Sequence, residues 1–360
     1  VMIKTRSNKK IILLTGGGTA GSVIPLLAIA KVLRDYKSDC HFIWLGTNRG
    51  PERQLVEEAG IKFQPISAGK LRRYWSWQNI LDIGRLIIGF LQANYFLNRI
   101  RPDLILSAGS FVSVPIAWAA KFYGIPVIIE QLDYRPGLAN KLMAPLAKKI
   151  LVTFAKSGRD YGRKAVWLGA PIRPDILQTV GDNPSLLWPF NGQRSIILIV
   201  GGGTGAAGIN NLVVQQLSGL TELADIIHLT GRGKLGAKPQ EHYQPLDFLN
   251  QAAMMAAYQA ADIVVARAGL GTLIELAALK KVSLIIPMPA SHQLDNAQAI
   301  KEAGAAIVVP EKDLVDGQLV RQLKQLLADK QKQVDLINNW PKAIKIASQS
   351  EIIQVFQEYL

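Results

Sequence analysis

The chain has 360 residues, 49% hydrophobic and 19% charged, with 41 Lys and Arg against 27 Asp and Glu, a formal net charge of +14. That composition excludes a disordered tail or a collagen-like fibre, and the length points to two domains. The single cysteine, Cys40, excludes a disulfide framework or a cysteine-based zinc site and points to a reducing compartment.

The charge is uneven. Residues 1–180 hold 26 Lys and Arg against 11 Asp and Glu, and residues 181–360 hold 15 against 16. A basic first half predicts an anionic partner: a membrane surface, a nucleic acid or a phosphorylated substrate. Lys4, Arg6, Lys9 and Lys10 precede only Ile11-Ile12-Leu13-Leu14 before a glycine run, too short for the core of a signal peptide. The sequence has no run of about 18 apolar residues, the length that would span a bilayer, so no spanning helix is expected. The expectation is a cytoplasmic protein that works against a membrane.

The first predicted strand, 11–15, enters the loop Gly16-Gly17-Gly18-Thr19-Ala20-Gly21-Ser22, which opens a helix over 23–36. Glycines let backbone N–H groups approach a phosphate or sugar, and a helix N-terminus favours negative charge. The loop matches neither the Walker lysine motif nor the strict dinucleotide fingerprint. A strand at 41–46 and a helix at 51–59 follow. Residues 70–101 begin Lys70-Leu71-Arg72-Arg73-Tyr74-Trp75-Ser76-Trp77 and continue into an apolar helix. Basic residues beside tryptophans fit a surface dipping into a headgroup layer, and the helix itself is read as partly core. The strand at 103–107 enters a second glycine loop, 107–113. Strands at 126–130, 149–153 and 165–168 complete the first series.

Residues 169–195, with Pro171, Pro174, Pro184 and Pro189, read as a linker. The second series opens with a strand at 196–200 and the loop Gly201-Gly202-Gly203-Thr204-Gly205-Ala206 before a helix at 208–219. Strands at 225–230 and 262–266 follow, and the latter runs into Arg267-Ala268-Gly269-Leu270-Gly271-Thr272-Leu273-Ile274-Glu275, opening a helix at 270–279. Glu275 is placed either to accept two hydrogen bonds from a ribose diol or to complement the helix dipole. After the strand at 282–287, His292-Gln293-Leu294-Asp295-Asn296-Ala297 sets amide side chains at a helix start, suited to hydroxyl and carbonyl recognition. A last strand is expected at 305–309.

Buried runs alternating with helices predict parallel sheets covered on both faces. The class is α/β, with two doubly wound, Rossmann-like domains facing a central cleft and ligands at the carboxyl ends of the strands.

These elements together resemble the MurG family of peripheral membrane glycosyltransferases. The resemblance rests on 17–25, 109–115, Pro136-Gly137-Leu138-Ala139-Asn140-Lys141, Gly169-Ala170-Pro171-Ile172-Arg173, 201–206, 267–275 and 292–297. It implies the GT-B fold: an acceptor and membrane-associated domain over 1–172, a UDP-sugar domain over 173–340, and a final helix, 341–360, returning to the first domain. It implies an inverting hexosyltransferase that moves N-acetylglucosamine from UDP-N-acetylglucosamine to the 4-hydroxyl of undecaprenyl-linked N-acetylmuramoyl-pentapeptide, lipid I to lipid II, at the cytoplasmic face of the membrane. The expected partners are that donor, that lipid acceptor and an anionic membrane surface, with no nucleic acid.

By the same resemblance Arg173 lies near the uracil and Leu249 offers backbone contacts to the base. Gly202, Gly203 and Thr204 cradle the pyrophosphate. Glu275 binds the ribose hydroxyls, with Gly271 and Thr272 beside it, and His292 and Gln293 bind the donor sugar. Thr19, Ala20 and Gly21 belong to the acceptor loop. No Asp-x-Asp motif is present, so neither metal nor cofactor is expected, and leaving-group charge falls to loop amides and a helix dipole.

The chain departs from the family pattern in two places. The first loop usually reads Gly-Gly-Thr-Gly-Gly-His; here Ser22 stands at the histidine, and a serine hydroxyl is no base near pH 7. The usual His-Glu-Gln-Asn segment is altered to Glu130-Gln131-Leu132-Asp133. The candidate catalytic residues are therefore Glu130 and Asp133, with Ser22 at the vacated position. The competing readings are a related UDP-sugar transferase with another lipid acceptor, a nucleotide-sugar epimerase of similar fold, and a catalytically impaired sugar-nucleotide-binding homologue.

Overall fold

The structure is a computed structural model. It describes residues 9–18, 20–48, 50, 52–69, 77–177, 187–201, 206–234 and 237–360, apart from the side chains of 20, 77–83, 174 and 175. The chain divides into two compact units: Val1–Arg173 with Ile346–Leu360, and Pro174–Lys345.

The first unit is built on seven parallel strands: β1 (Lys10–Thr15), β2 (Cys40–Thr47), β3 (Lys62–Ile66), β4 (Leu104–Ser107), β5 (Val127–Gln131), β6 (Lys149–Val152) and β7 (Ala165–Trp167). Their order is β3-β2-β1-β4-β5-β6-β7. The inner strands β1, β4, β5 and β6 are short runs rich in Ile, Leu and Val and largely buried on both faces, as parallel sheets demand. Its main helices are α1 (Ile24–Tyr36), α2 (Glu52–Glu58), α3 (Trp77–Ile100), α4 (Ser113–Phe122) and α5 (Leu138–Met143). Leu13, Ile105, Val127, Ile129 and Ile150 on one sheet face pack with Ala93 and Leu97 of α3 and with Ile116 and Ala120 of α4.

The second unit holds β8 (Ile196–Val200), β9 (Asp225–Leu229), β10 (Tyr243–Leu246), β11 (Ile263–Ala266), β12 (Ser283–Ile285) and β13 (Ile307–Val308), all parallel. Their order is β10-β9-β8-β11-β12-β13. Between and after them run α6 (Ala207–Gln215), α7 (Leu217–Leu223), α8 (Gln251–Ala260), α9 (Leu270–Ala278), α10 (Gln293–Ala303), α11 (Gln318–Ala328) and α12 (Lys330–Ala343).

Two strands were not anticipated, β3 and β10. Each is the edge strand of its sheet and carries a proline, Pro65 or Pro245. Proline lacks the ladder donor, which an edge tolerates, and it breaks the apolar run that marks a strand. The helix expected over 208–219 is two helices, divided at Gln216. The buried Gln216 side chain donates to the Leu314 carbonyl (2.6 Å) and accepts from Leu319 N (3.1 Å), tying the break to the start of α11.

The chain's end is likewise two elements. In the second unit α12 runs to Ala343, with Trp340 fully buried and its indole N–H on the Lys281 carbonyl (2.8 Å). The return follows, through an Ala170–Ile346 bridge, to α13 (Gln349–Phe356). Helix α13 starts with a capping box between Ser348 and Glu351 and packs on α1.

Candidate active site

In each sheet the strand order reverses once, between β1 and β4 and between β8 and β11. These are the topological switch points at which open α/β sheets bind ligands. The glycine loops after β1, β4 and β11 open there, and 202–205 of the loop that follows β8 lie outside the described residues.

At the first switch point, Ala108 N donates to the Thr15 carbonyl (3.1 Å) and the Thr15 and Ser113 hydroxyls meet at 3.2 Å. Ser113 also donates to the Gly109 carbonyl (2.6 Å), so the loops after β1 and β4 are joined by buried hydrogen bonds. The first loop is fixed at three successive residues: Gly16 O by the Trp44 indole (3.2 Å), Gly17 O by Ser22 Oγ (3.4 Å) and Gly18 N by Glu52 (3.3 Å). Ser22 and Gly21 are half-buried in a short 3₁₀ turn, Ala20–Ser22. Thr19 lies outside the described residues, as does the side chain of Ala20.

Glu130 stands near the carboxyl end of β5. It is 1% exposed, neither carboxyl oxygen has a hydrogen-bond partner among the described residues, and burial raises its pKa from 4.5 to about 8. Ser107 pairs with Ile129 and Thr15 with Ser107. Gly16 and Ala108, just past the ends of β1 and β4, therefore follow in the row of Glu130, and only the small Ala108 stands between the carboxyl and the first loop. Its neighbour Gln131 is a structural clamp. It donates to the carbonyls of Asp133 (2.6 Å) and Arg135 (3.1 Å) and accepts from Asn140 and Tyr161 (both 2.7 Å). That clamp holds the half-buried Asp133 in the loop after β5. Arg173 lines a cavity of about 260 Å³ with residues of α1 and α2, among them Ile24, Leu27 and Leu55.

At the second switch point, Glu275 is half-buried on α9 and accepts a hydrogen bond from Tyr258 of α8 (2.9 Å). Burial, and then the Glu275 charge, hold the Tyr258 hydroxyl well above its usual pKa, so it remains a donor. Gly271 and Thr272 lie in the first turn of α9. Gln293, 9% exposed, accepts from Met288 N (3.1 Å), and its amide nitrogen lies 3.9 Å from where a Cβ on Gly269 would stand. Asn296, fully buried, donates to the Ala268 carbonyl (3.4 Å). The starts of α9 and α10 are thereby locked together. His292 is exposed at the α10 N-cap. Arg267 spans the neighbouring loops, donating to the carbonyls of Ile286 (3.2 Å) and Pro287 (3.3 Å) and pairing with Glu311 (2.5 Å).

Leu249 is half-buried between β10 and α8, beside the exposed Phe248, over whose ring the Arg232 guanidinium sits at 4.7 Å. Beneath α6, buried His228 bonds Tyr243 (3.0 Å) and Asn210 (3.1 Å), and burial lowers its pKa to about 4, so it is neutral near pH 7. Gly202, Gly203 and Thr204 lie outside the described residues.

The structure thus brings Gly271, Thr272, Glu275 and Gln293 to one switch point, and Gly21 and Ser22 to the other with Glu130 nearby. Sequence reasoning missed Glu52, Tyr258 and Asn296. Asn296 stood inside a quoted motif, whereas Glu52 and Tyr258 look like ordinary helix residues until the fold sets them against the loops.

Residues 12–152 match the glycosyltransferase family 28 N-terminal domain and residues 196–354 its C-terminal domain. A Clostridium kluyveri protein is 36% identical over 357 residues, 97% of this chain and 99% of its own. It is named UDP-N-acetylglucosamine--N-acetylmuramyl-(pentapeptide) pyrophosphoryl-undecaprenol N-acetylglucosamine transferase. A Shouchella clausii protein of the same name is 36% identical over 336 residues, covering 91% of this chain and 94% of its own. Among solved structures, Acinetobacter baumannii MurG superposes with a TM-score of 0.74 at 22% identity, covering 97% of this chain and 99% of its own. A Neisseria meningitidis UDP-GlcNAc 2-epimerase bound to UDP-GlcNAc superposes with a TM-score of 0.68 at 13% identity, covering 97% and 98%. At these identities the structural likenesses speak to fold alone.

Proposed function

Because the chain belongs to glycosyltransferase family 28, we propose that it transfers N-acetylglucosamine from UDP-N-acetylglucosamine to undecaprenyl-pyrophosphoryl N-acetylmuramyl-pentapeptide, the lipid I to lipid II step of peptidoglycan precursor synthesis. The observation that carries this reading is 36% identity, over nine-tenths or more of each chain, with transferases of that one name. The epimerase likeness is one of fold and brings no comparable identity.

In this reading the second unit takes the donor. Glu275, fixed by Tyr258, accepts from the ribose hydroxyls, and Leu249 meets the base. Gln293, with His292 at the same helix start, meets the sugar. The 202–204 segment and the amino end of α6 receive the pyrophosphate, where amides and dipole favour negative charge. The first unit takes the lipid acceptor on its first loop. The acceptor 4-hydroxyl attacks the anomeric carbon and forms the new C–O bond as the bond to UDP breaks, with inversion. UDP leaves with the electron pair and Glu130 accepts the hydroxyl proton. An ordinary carboxylate is a weak base for an alcohol; one raised to about 8 is better matched to the task near neutral pH. Ser22, bonded to Gly17 O, is a loop clamp, and Asp133 stands beside the acceptor. Arg173 is assigned to the uracil only by its place in the sequence motif.

The membrane surface is assigned to α3 and α4. Ile87, Ile88, Leu91 and Tyr95 of α3 are exposed, as are Trp118 and Phe122 of α4 and the following Tyr123. The two sets join through the Phe90–Phe122 ring contact (6.0 Å) and a bond from the Tyr123 hydroxyl to Asn94 O (3.3 Å). Arg85, Arg99 and Lys121 are exposed on the same helices. An apolar patch with aromatic edges and cations fits an anionic bilayer. Among the described residues no helix is long and apolar enough to cross a membrane. The 70–76 segment, which the sequence also marks for the membrane, lies outside the described residues. The docked face is cytoplasmic, where the nucleotide donor is found.

Replacing Leu91 and Phe122 together by serine should weaken binding to vesicles containing anionic lipid by about 10²-fold, at ~1.5 kcal/mol or more per lost apolar side chain. Sedimentation with vesicles measures this, and unchanged binding would remove the patch from the account. The reaction is tested by mass spectrometry of the lipid after incubation with donor and acceptor. The expected product is heavier by one N-acetylhexosamine, with UDP released only when acceptor is present. Acceptor-independent UDP release would mark a hydrolase and overturn the reading.

A further inference from the structure

Glu52 opens α2 and is fully buried, yet it belongs to none of the quoted motifs. One carboxylate oxygen accepts from Thr47 N (2.9 Å) and from the Thr47 hydroxyl at the end of β2, and the other accepts from Gly18 N (3.3 Å). Two neighbouring glycines leave the room its carboxylate occupies. A Cβ on Gly17 would stand 2.4 Å from one carboxylate oxygen, and a Cβ on Gly50 would stand 1.8 Å from the other. Gly18 has φ +87°, a conformation that favours glycine. A buried acidic side chain has thus been built against a loop whose geometry otherwise suits an incoming anion, and it occupies one of that loop's amides.

Burying a carboxylate is costly without compensating bonds, and here those bonds run from the end of β2 to the first glycine loop. We infer that Glu52 is a positioning residue for acceptor binding: it holds Gly18, and through it the 16–22 loop, in the shape that receives the pyrophosphate-bearing lipid. This rests on the assignment of the first loop to the acceptor, made above. The Trp44 and Ser22 bonds fix the carbonyls of Gly16 and Gly17; Glu52 fixes the following amide, the last described position before Thr19.

The test compares wild type with Glu52→Ala, Glu52→Gln and Thr47→Val by steady-state kinetics in each substrate and by amide hydrogen exchange of the peptide spanning the loop. Glu52→Ala should lower kcat/KM for the lipid acceptor by about 10-fold, since small misplacements of a binding group carry penalties of that order or more. KM for UDP-N-acetylglucosamine should not move. Glu52→Gln, which keeps an acceptor oxygen, should recover most of the loss. Thr47→Val, which removes one bond and leaves the carboxylate, should fall between wild type and Glu52→Ala and serves if Glu52→Ala does not fold. Loop exchange should quicken in the same order. Equal losses in both substrates, or unchanged loop exchange, would overturn the inference. Exchange is read without catalysis, so absence of transfer by the wild type would instead count against the proposed reaction.

Discussion

Glu130→Gln should lower turnover by about 10²–10⁴-fold, the usual contribution of a positioned base. In the wild type, kcat should rise with pH and level off above about 8, because the base acts only when deprotonated. The same substitution should stabilise the protein in alkaline solution. A carboxyl whose pKa is 4.5 in the unfolded chain and about 8 when folded holds its proton longer in the native state. Its stabilising contribution is whole below pH 4.5, is lost as pH rises toward 8, and is gone above it, a span of roughly 5 kcal/mol. Glutamine cannot ionise, so denaturant titrations of wild type and variant should diverge across that window. Full turnover by Glu130→Gln would move the base elsewhere, with Asp133 the next candidate. A pH-independent stability difference would contradict the buried, neutral carboxyl itself.

Glu275→Ala should lower kcat/KM for the donor by about 10²-fold, through the loss of two charge-assisted hydrogen bonds at ~1.5 kcal/mol each. It should also destabilise the second unit, since the Tyr258 hydroxyl loses its acceptor, at a cost of about 1–3 kcal/mol. A donor lacking the ribose 2′-hydroxyl separates binding from folding. It should be a poor substrate for the wild type and no poorer than the natural donor for Glu275→Ala. Additive losses would mean that Glu275 does not touch the ribose and serves only Tyr258 and the helix dipole.

The parts of this site that were legible in the sequence are those whose physics is local. A buried parallel strand announces itself as a short Ile/Leu/Val run, and a strand-to-helix turn needs glycine. Both domain cores and the strand ends that carry the glycine loops could therefore be read, and the strand order set those strand ends at the two reversals. Edge strands β3 and β10 were hidden because Pro65 and Pro245 interrupt the pattern an edge does not require. Tertiary partners were hidden more deeply. Nothing local distinguishes Tyr258 from a core tyrosine, and only packing against α9 makes it the donor that orients Glu275. Gln131 sat in a motif associated with catalysis, yet its four hydrogen bonds spend it on the loop after β5. Glu130, one residue earlier, has no hydrogen-bond partner for its carboxyl among the described residues. The alternation of a strand, which sends neighbours to opposite faces, explains how adjacent residues come to such different ends.

The basic first half also gains a more definite meaning. In the proposed reading its surplus of cations, Arg85, Arg99 and Lys121 among them, would serve the exposed aromatic face of α3 and α4, while the near-neutral second half would meet its anionic donor through specific groups such as Glu275 and Gln293. On the proposed reading, attraction of about 1 kcal/mol per well-placed Lys or Arg would draw the protein to an anionic bilayer; among the described residues no helix is long and apolar enough to cross one.

The most direct measurement is the fate of the sugar. With UDP-N-acetylglucosamine labelled in the sugar ring and the undecaprenyl-linked muramyl-pentapeptide as acceptor, the wild type should move label into the butanol-extractable lipid, one UDP released for each sugar transferred. Label that stays in the aqueous phase, under conditions where donor binding is confirmed, would contradict the assigned reaction.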